Sequence, residues 1–96
     1  MMRDFKVNIC GVPHEVVFKD DSFTACETHF GEIKYKECKI TLSTGMSPEM
    51  EKQTLIHEMV HGFFTHLGYN NLAGDEVLVQ SLAQAMAQSF EVKKEL

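Results

Sequence analysis

Residues 47–68 read SPEMEKQTLIHEMVHGFFTHLG, and this stretch decides the fold. Ser47 suits an N-cap, Pro48 the first helical position, and acidic residues fill the first turn. Leu55, Ile56, Met59, Val60, Phe63, Phe64 and Leu67 then recur at helical spacing. Gly68, able to take a positive φ, ends the run. Inside this helix His57-Glu58-Met59-Val60-His61 places two imidazoles four residues apart, on one face and one turn from each other. Two neutral imidazole nitrogens so placed can bind one divalent ion. Glu58, about 100° around the helix from His57, reaches the outer shell of such an ion without having to ligate it. A carboxylate there can accept a proton from a water that the ion activates. The bland alternative, two histidines satisfied by ordinary partners on a core-facing helix, must also bury Glu58, which is costly without a partner.

Upstream of the helix the period changes from 3.6 to 2. Phe5, Val7 and Ile9 alternate with Lys6, Asn8 and Cys10, as in a half-buried strand. Gly11-Val12-Pro13 breaks the run, and His14 to Phe18 resumes it, which suggests a hairpin. Asp20-Asp21-Ser22 is turn material, and residues 23–30 carry no clear pattern. Ile33 and Tyr35, then Cys38, Ile40 and Leu42, indicate one or two strands over 32–43, with Lys34, Lys36 and Lys39 suited to an exposed edge. Downstream, Tyr69 to Gly74 reads as a polar loop. A second helix is expected from about Asp75 to about Lys93, with Leu78, Leu82, Met86 and Phe90 as its stripe. Residues 91–96 are expected to be its solvated end. Strands followed by helix–loop–helix make the class α+β: a small N-terminal antiparallel sheet packed on the histidine-bearing helix and a C-terminal helix.

Composition sets the boundaries. With 96 residues, 44% of them apolar and 24% charged, residues 1–96 form a single domain around one core. Apolar runs of two to three residues cannot span a bilayer, so no membrane is expected. Arg3, Asp4, Lys6 and Asn8 leave no signal-peptide core. A net charge of −5 opposes the basic stripe that nucleic acid requires. The acidic excess is concentrated in residues 41–96, where three Lys/Arg face seven Asp/Glu, and part of it suits a cation site. Cys10, Cys26 and Cys38 form no CxxC pair and are odd in number, so three free thiols in a reducing cytoplasm are expected.

A catalytic zinc takes three protein ligands and keeps one position open. The helical hairpin brings the start of the second helix towards the first, offering Glu76 as third ligand, with Asp75 as the alternative. Asp75 fits an N-cap better, since it follows Gly74. His66, five residues past His61, points about 140° away and cannot easily join the pair. His14 and His29 read as ordinary surface or strand residues.

The segment TLIHEMVHGF, Thr54 to Phe63, resembles the extended zincin metallopeptidase motif, and a glutamate on the following helix resembles the gluzincin arrangement. Short N-terminal strands, the segment GEIKYKECKITL, the motif helix and the acidic pair at the next helix start are together similar to small ImmA/IrrE-type metallopeptidases, which are common in phages and mobile elements. The resemblance covers roughly residues 5–90. It implies a zinc endopeptidase with His57, His61 and Glu76 on Zn²⁺, Glu58 as general base for the metal-bound water, and a protein or peptide as substrate. An edge strand from 32–43 can pair with an extended peptide, and Tyr35, His66 and Tyr69 are the candidate donors to the oxyanion. Two departures stand out: the His61–Glu76 interval is short for gluzincins, and no large second lobe closes the cleft. The rival readings are a catalytically silent zinc-binding regulatory module and a metal-free interaction domain. A His₂/Glu site also accepts divalent ions other than zinc.

Overall fold

A computed structural model describes residues 4–20 and 30–95. Its elements run β1 (Phe5–Ile9), β2 (Val12–Lys19), β3 (Gly31–Lys34), β4 (Lys39–Ser43), α1 (Pro48–His66), α2 (Asn70–Ala73) and α3 (Glu76–Ser89). Residues 21–29, with Asp21, Ser22, Cys26, His29 and all of the unpatterned stretch except Phe30, lie outside the described residues.

The α+β class holds, but the sheet is mixed rather than antiparallel. β1 and β2 form an antiparallel hairpin closed by Cys10 and Gly11, both at positive φ (52° and 83°), as a two-residue primed turn requires. β3 and β4 form a second antiparallel hairpin. The spatial order is β1-β2-β4-β3, so β4 enters beside β2 and runs parallel to it. Alternation reveals which face of a strand is buried but not which strand lies beside it. Burial decides the order: β4 is buried at every residue but Lys39, with Ile40 and Leu42 fully so, and takes a central place. The short, lysine-bearing β3 is left at the edge. Pro13, expected to interrupt the chain, instead lies within β2 opposite Asn8. Its missing N–H faces the side where β4 has not yet begun, since the first bond there is Glu15 N–H to the Cys38 carbonyl at 2.9 Å.

Helix α1 starts as its sequence predicts. Ser47 Oγ accepts the Met50 N–H at 3.2 Å with Pro48 following. It ends in a Schellman motif, with Tyr69 N–H on the Phe64 carbonyl and Gly68 N–H on that of Thr65. α1 is the middle of three layers. One flank puts Leu55 into a core of Phe5, Val7, Ile9, Val16, Ile40 and Leu42. The other puts Ile56 and Val60 against Val79 and Ala83 of α3. Burial on both flanks is why its apolar residues exceed a single stripe.

The rotation and length of α3 differ from the sequence expectation. Val79 and Ala83 are buried, while Leu82 is partly exposed and Phe90 is 63% exposed. The small Ala83 lets α3 lie close to α1, and that turns the helix by about one residue from the Leu78–Leu82–Phe90 stripe. The helix stops at Ser89, and Phe90 is extended. The expected solvated helix end is instead a strap. Glu95 exchanges two backbone hydrogen bonds with Lys6 on the outer edge of β1, Lys94 sits 4.8 Å over the Phe5 ring, and Lys52 pairs with Glu91 at 2.9 Å. An unpaired strand edge satisfies the tail's backbone better than one more helical turn.

One glycine allows the middle layer to sit this low. A Cβ on Gly62 would lie 3.0 Å from Ile9 Cδ1 and 3.3 Å from Ile33 Cδ1. Gly62→Val should therefore destabilise the fold by about 1–3 kcal/mol, because a branched side chain must displace a packed core residue. Urea denaturation measures this, and wild-type stability in the variant would refute the tight-contact account.

Candidate metal centre

His57 and His61 project from one face of α1 towards the start of α3. Their Nε2 atoms are 3.2 Å apart. Glu76, in the first turn of α3, brings Oε1 to 3.2 Å from His57 Nε2 and Oε2 to 3.4 Å from His61 Nε2. Four ligands held about 2.0–2.1 Å from one ion at tetrahedral angles lie about 3.3 Å from each other. The separation of the two imidazoles matches that spacing, and each Glu76 oxygen approaches one of them at a similar distance. Among the described residues, these three side chains form the one group of three or more potential ligands close enough to share an ion.

The outward-facing ring nitrogens settle what the inner ones offer. His61 Nδ1 lies 2.6 Å from the Ala73 carbonyl, which can only accept, so Nδ1 carries the proton. In the neutral ring, His61 Nε2 is then a bare lone pair. His57 Nδ1 lies 2.7 Å from Gln80 Oε1 and donates to it in the same way. With both rings neutral in this tautomer, two lone pairs and a carboxylate converge, an arrangement that a cation relieves. Outer partners of this kind orient metal-binding histidines.

Local sequence explains each placement. The i, i+4 spacing aligns the imidazoles. Asp75 caps α3, its Oδ1 accepting the Leu78 N–H at 3.1 Å, and so its carboxylate serves the helix end. Glu76 is the next residue, and Val79 and Ala83 turn its side of α3 towards α1. The expected loop Tyr69–Gly74 contains the short helix α2, whose last residue supplies the carbonyl behind His61. Sequence reasoning missed Gln80 and this carbonyl. Gln80 lies one turn after Glu76, and that i, i+4 relation was its available signal.

Burial grades across the site. The side chains of His61 and His57 are 13% and 21% exposed, while that of Glu76 is 68% exposed. Glu58 is buried and lines the same cleft, of about 480 Å³, whose far wall is the edge strand β3. Three candidate ligands facing an open cleft differ from a closed four-ligand structural site. Of the candidate oxyanion donors, Tyr35 lines this cleft and His66 and Tyr69 do not. His66 lies edge-on to His14 with ring centres 5.5 Å apart. His14 is not a surface residue: it is fully buried on β2, its Nδ1 donating to the Val12 carbonyl at 2.9 Å. Cys10 and Cys38 are free thiols. No helix is long and apolar enough to cross a membrane. Comparison with known proteins finds no matching family model, no matching curated protein and no matching solved structure.

Two substitutions separate ligand support from helix capping. Gln80→Ala should weaken metal affinity about 10- to 100-fold with little change in stability. Asp75→Ala should cost about 1 kcal/mol of stability yet retain the metal. Competition titration with a chelating dye, beside thermal melts, reads both, and metal loss in Asp75→Ala but not in Gln80→Ala would reverse the assignment.

Proposed function

We propose that this chain is a zinc-dependent metalloendopeptidase of the gluzincin, ImmA/IrrE-like kind, hydrolysing peptide bonds in a protein substrate. The observation that carries the reading is the convergence of His57, His61 and Glu76 beside a buried Glu58, in a cleft bordered by an open strand edge. When bound at the three ligands, a divalent ion such as Zn²⁺ supplies a Lewis acid that polarises a carbonyl and makes water more acidic.

The remaining work falls to the chain's own groups. The Glu58 carboxylate takes a proton from the attacking water as the carbon–oxygen bond forms. It passes that proton to the amine nitrogen as the carbon–nitrogen bond breaks. Burial keeps bulk water from competing for that proton. The Tyr35 hydroxyl is the donor best placed for the developing oxyanion, since it alone of the three candidates borders the cleft. Ala73 and Gln80 hold the imidazoles in the tautomer that leaves Nε2 free. The two edges of the sheet favour the same reading. β1 is occupied by the chain's own tail, while β3 has no partner on its outer side among the described residues and faces the cleft. A reducing cytoplasm suits the free thiols of Cys10 and Cys38. A phage or mobile-element setting rests on the sequence resemblance alone.

The test uses zinc-loaded wild type and Glu58→Gln on unfolded casein, with products read by mass spectrometry. Wild type should cut, and the variant should lose about 10²- to 10⁴-fold in rate while keeping its metal. Equal rates in the two proteins, or intact casein with zinc-loaded wild type, would contradict a peptidase and leave a binding module.

A further inference from the structure

We infer that the outer face of α3 joins this chain to a second copy of itself, the two helices lying antiparallel across a two-fold axis. The inference rests on α3 alone and is independent of the metal and of the peptidase reading.

Two features set this face apart. The first is position. Val79 and Ala83 are buried against α1. Ser81 and Ala85, each two residues further on, lie about 200° round the helix and look away from α1. Both are exposed, Val77 is 79% exposed and Leu82 37% exposed. The second feature is charge. Residues 77–90 contain no Asp, Glu, Lys or Arg, in a chain that is 24% charged. An exposed helix face ordinarily carries charged side chains, as the first turns of α1 do with Glu49, Glu51 and Lys52. Depletion of charge is the compositional mark of an interface centre. The Ser81 hydroxyl donates to the Val77 carbonyl at 2.8 Å, so covering this face strands no donor there.

Charge also selects the occupant. The chain carries a net −5, so two copies repel wherever their acidic surfaces meet. A face without charge is where they meet at least cost, and it offers a partner of opposite charge nothing to attract. Shape then selects the direction. Leu78, Leu82, Ala85 and Ser89 recur at intervals of four, three and four, the spacing of a helix–helix seam. The two large residues lie in the first half of α3 and the two small ones in the second. A parallel partner would set leucine on leucine and serine on serine, leaving a gap at the small end. An antiparallel partner sets Leu82 against Ala85 of the second copy and Leu78 against its Ser89, so each layer holds one large and one small side chain. The same stripe serves both copies, and the pairing closes as a dimer. Glu91, which this register brings near Glu76 of the other copy, is already paired with Lys52 at 2.9 Å. With 14 residues, α3 spans about 21 Å. That is short for a standard interface, so the dimer is a weak one, with a Kd of about 10–100 µM.

Sedimentation velocity on the full chain, from about 5 to about 500 µM, tests this. Wild type should pass from monomer to dimer mass across that range. Ala85→Glu puts a carboxylate into the seam at an exposed helical position, where the monomer tolerates it. It should weaken association at least about tenfold, with the melting temperature of the dilute monomer unchanged. Leu82→Lys should do the same. An equimolar mixture of the two variants should recover the dimer, because the new lysine of one copy then faces the new carboxylate of the other. A wild type that stays monomeric to about 500 µM would overturn the inference and leave the face to a foreign partner. A dimer as tight in Ala85→Glu as in wild type would overturn it too. A mixture that remains monomeric would overturn the antiparallel pairing.

Discussion

Helix α1 is packed on two flanks at once, and the placement of every functional group follows from that. The sheet holds the flank bearing Leu55 and Gly62, and α3 holds the flank bearing Ile56 and Val60. Between the two flanks runs a strip that faces the first turns of α3 and the cleft, and His57 and His61 stand on it. A bulkier residue at position 62 would lift the helix from Ile9 and Ile33. A bulkier residue at 83 would push α3 away and take Glu76 with it. The distances of 3.2–3.4 Å among the His57, His61 and Glu76 side chains lie within α1 and across its contact with α3, where the small Ala83 sets the approach.

Much of this can be read in the chain. The change from period 2 to period 3.6 at Ser47-Pro48 separates sheet from helix, because backbone geometry forces those periods on any buried face. The histidine pair is legible for the same reason. Glu76 is legible because a short connection obliges two helices to pack antiparallel. What stayed hidden depends on which element lies beside which. The parallel β2/β4 contact arises from the relative burial of whole strands. The rotation of α3 arises from the fit of Ala83 against α1. The strap over β1 exists because a strand edge is available, which residues 90–95 alone cannot reveal. Gln80 was overlooked because a neutral amide carries no sign of its own; its role appears only when its oxygen is found 2.7 Å from His57 Nδ1.

The cleft joins two features that a purely structural metal site has no need of. Glu58 is a carboxylate kept buried next to the three candidate ligands, and among the described residues β3 is a strand edge without a partner beside them, while the opposite edge is closed by the tail. A strand edge left unpaired costs stability. The coincidence of the carboxylate and the edge at one cleft is what separates a catalytic reading from a structural one.

The account stands on the ion. The direct measurement is the metal content per chain of wild type and Glu76→Ala, each purified without added metal and assayed again after exposure to zinc at neutral pH. About one zinc per wild-type chain, with clearly less in the variant, is the expected result. A wild type that takes up none after zinc is offered would contradict it, and the paired histidines would then be no more than a hydrogen-bonded cluster on a buried helix.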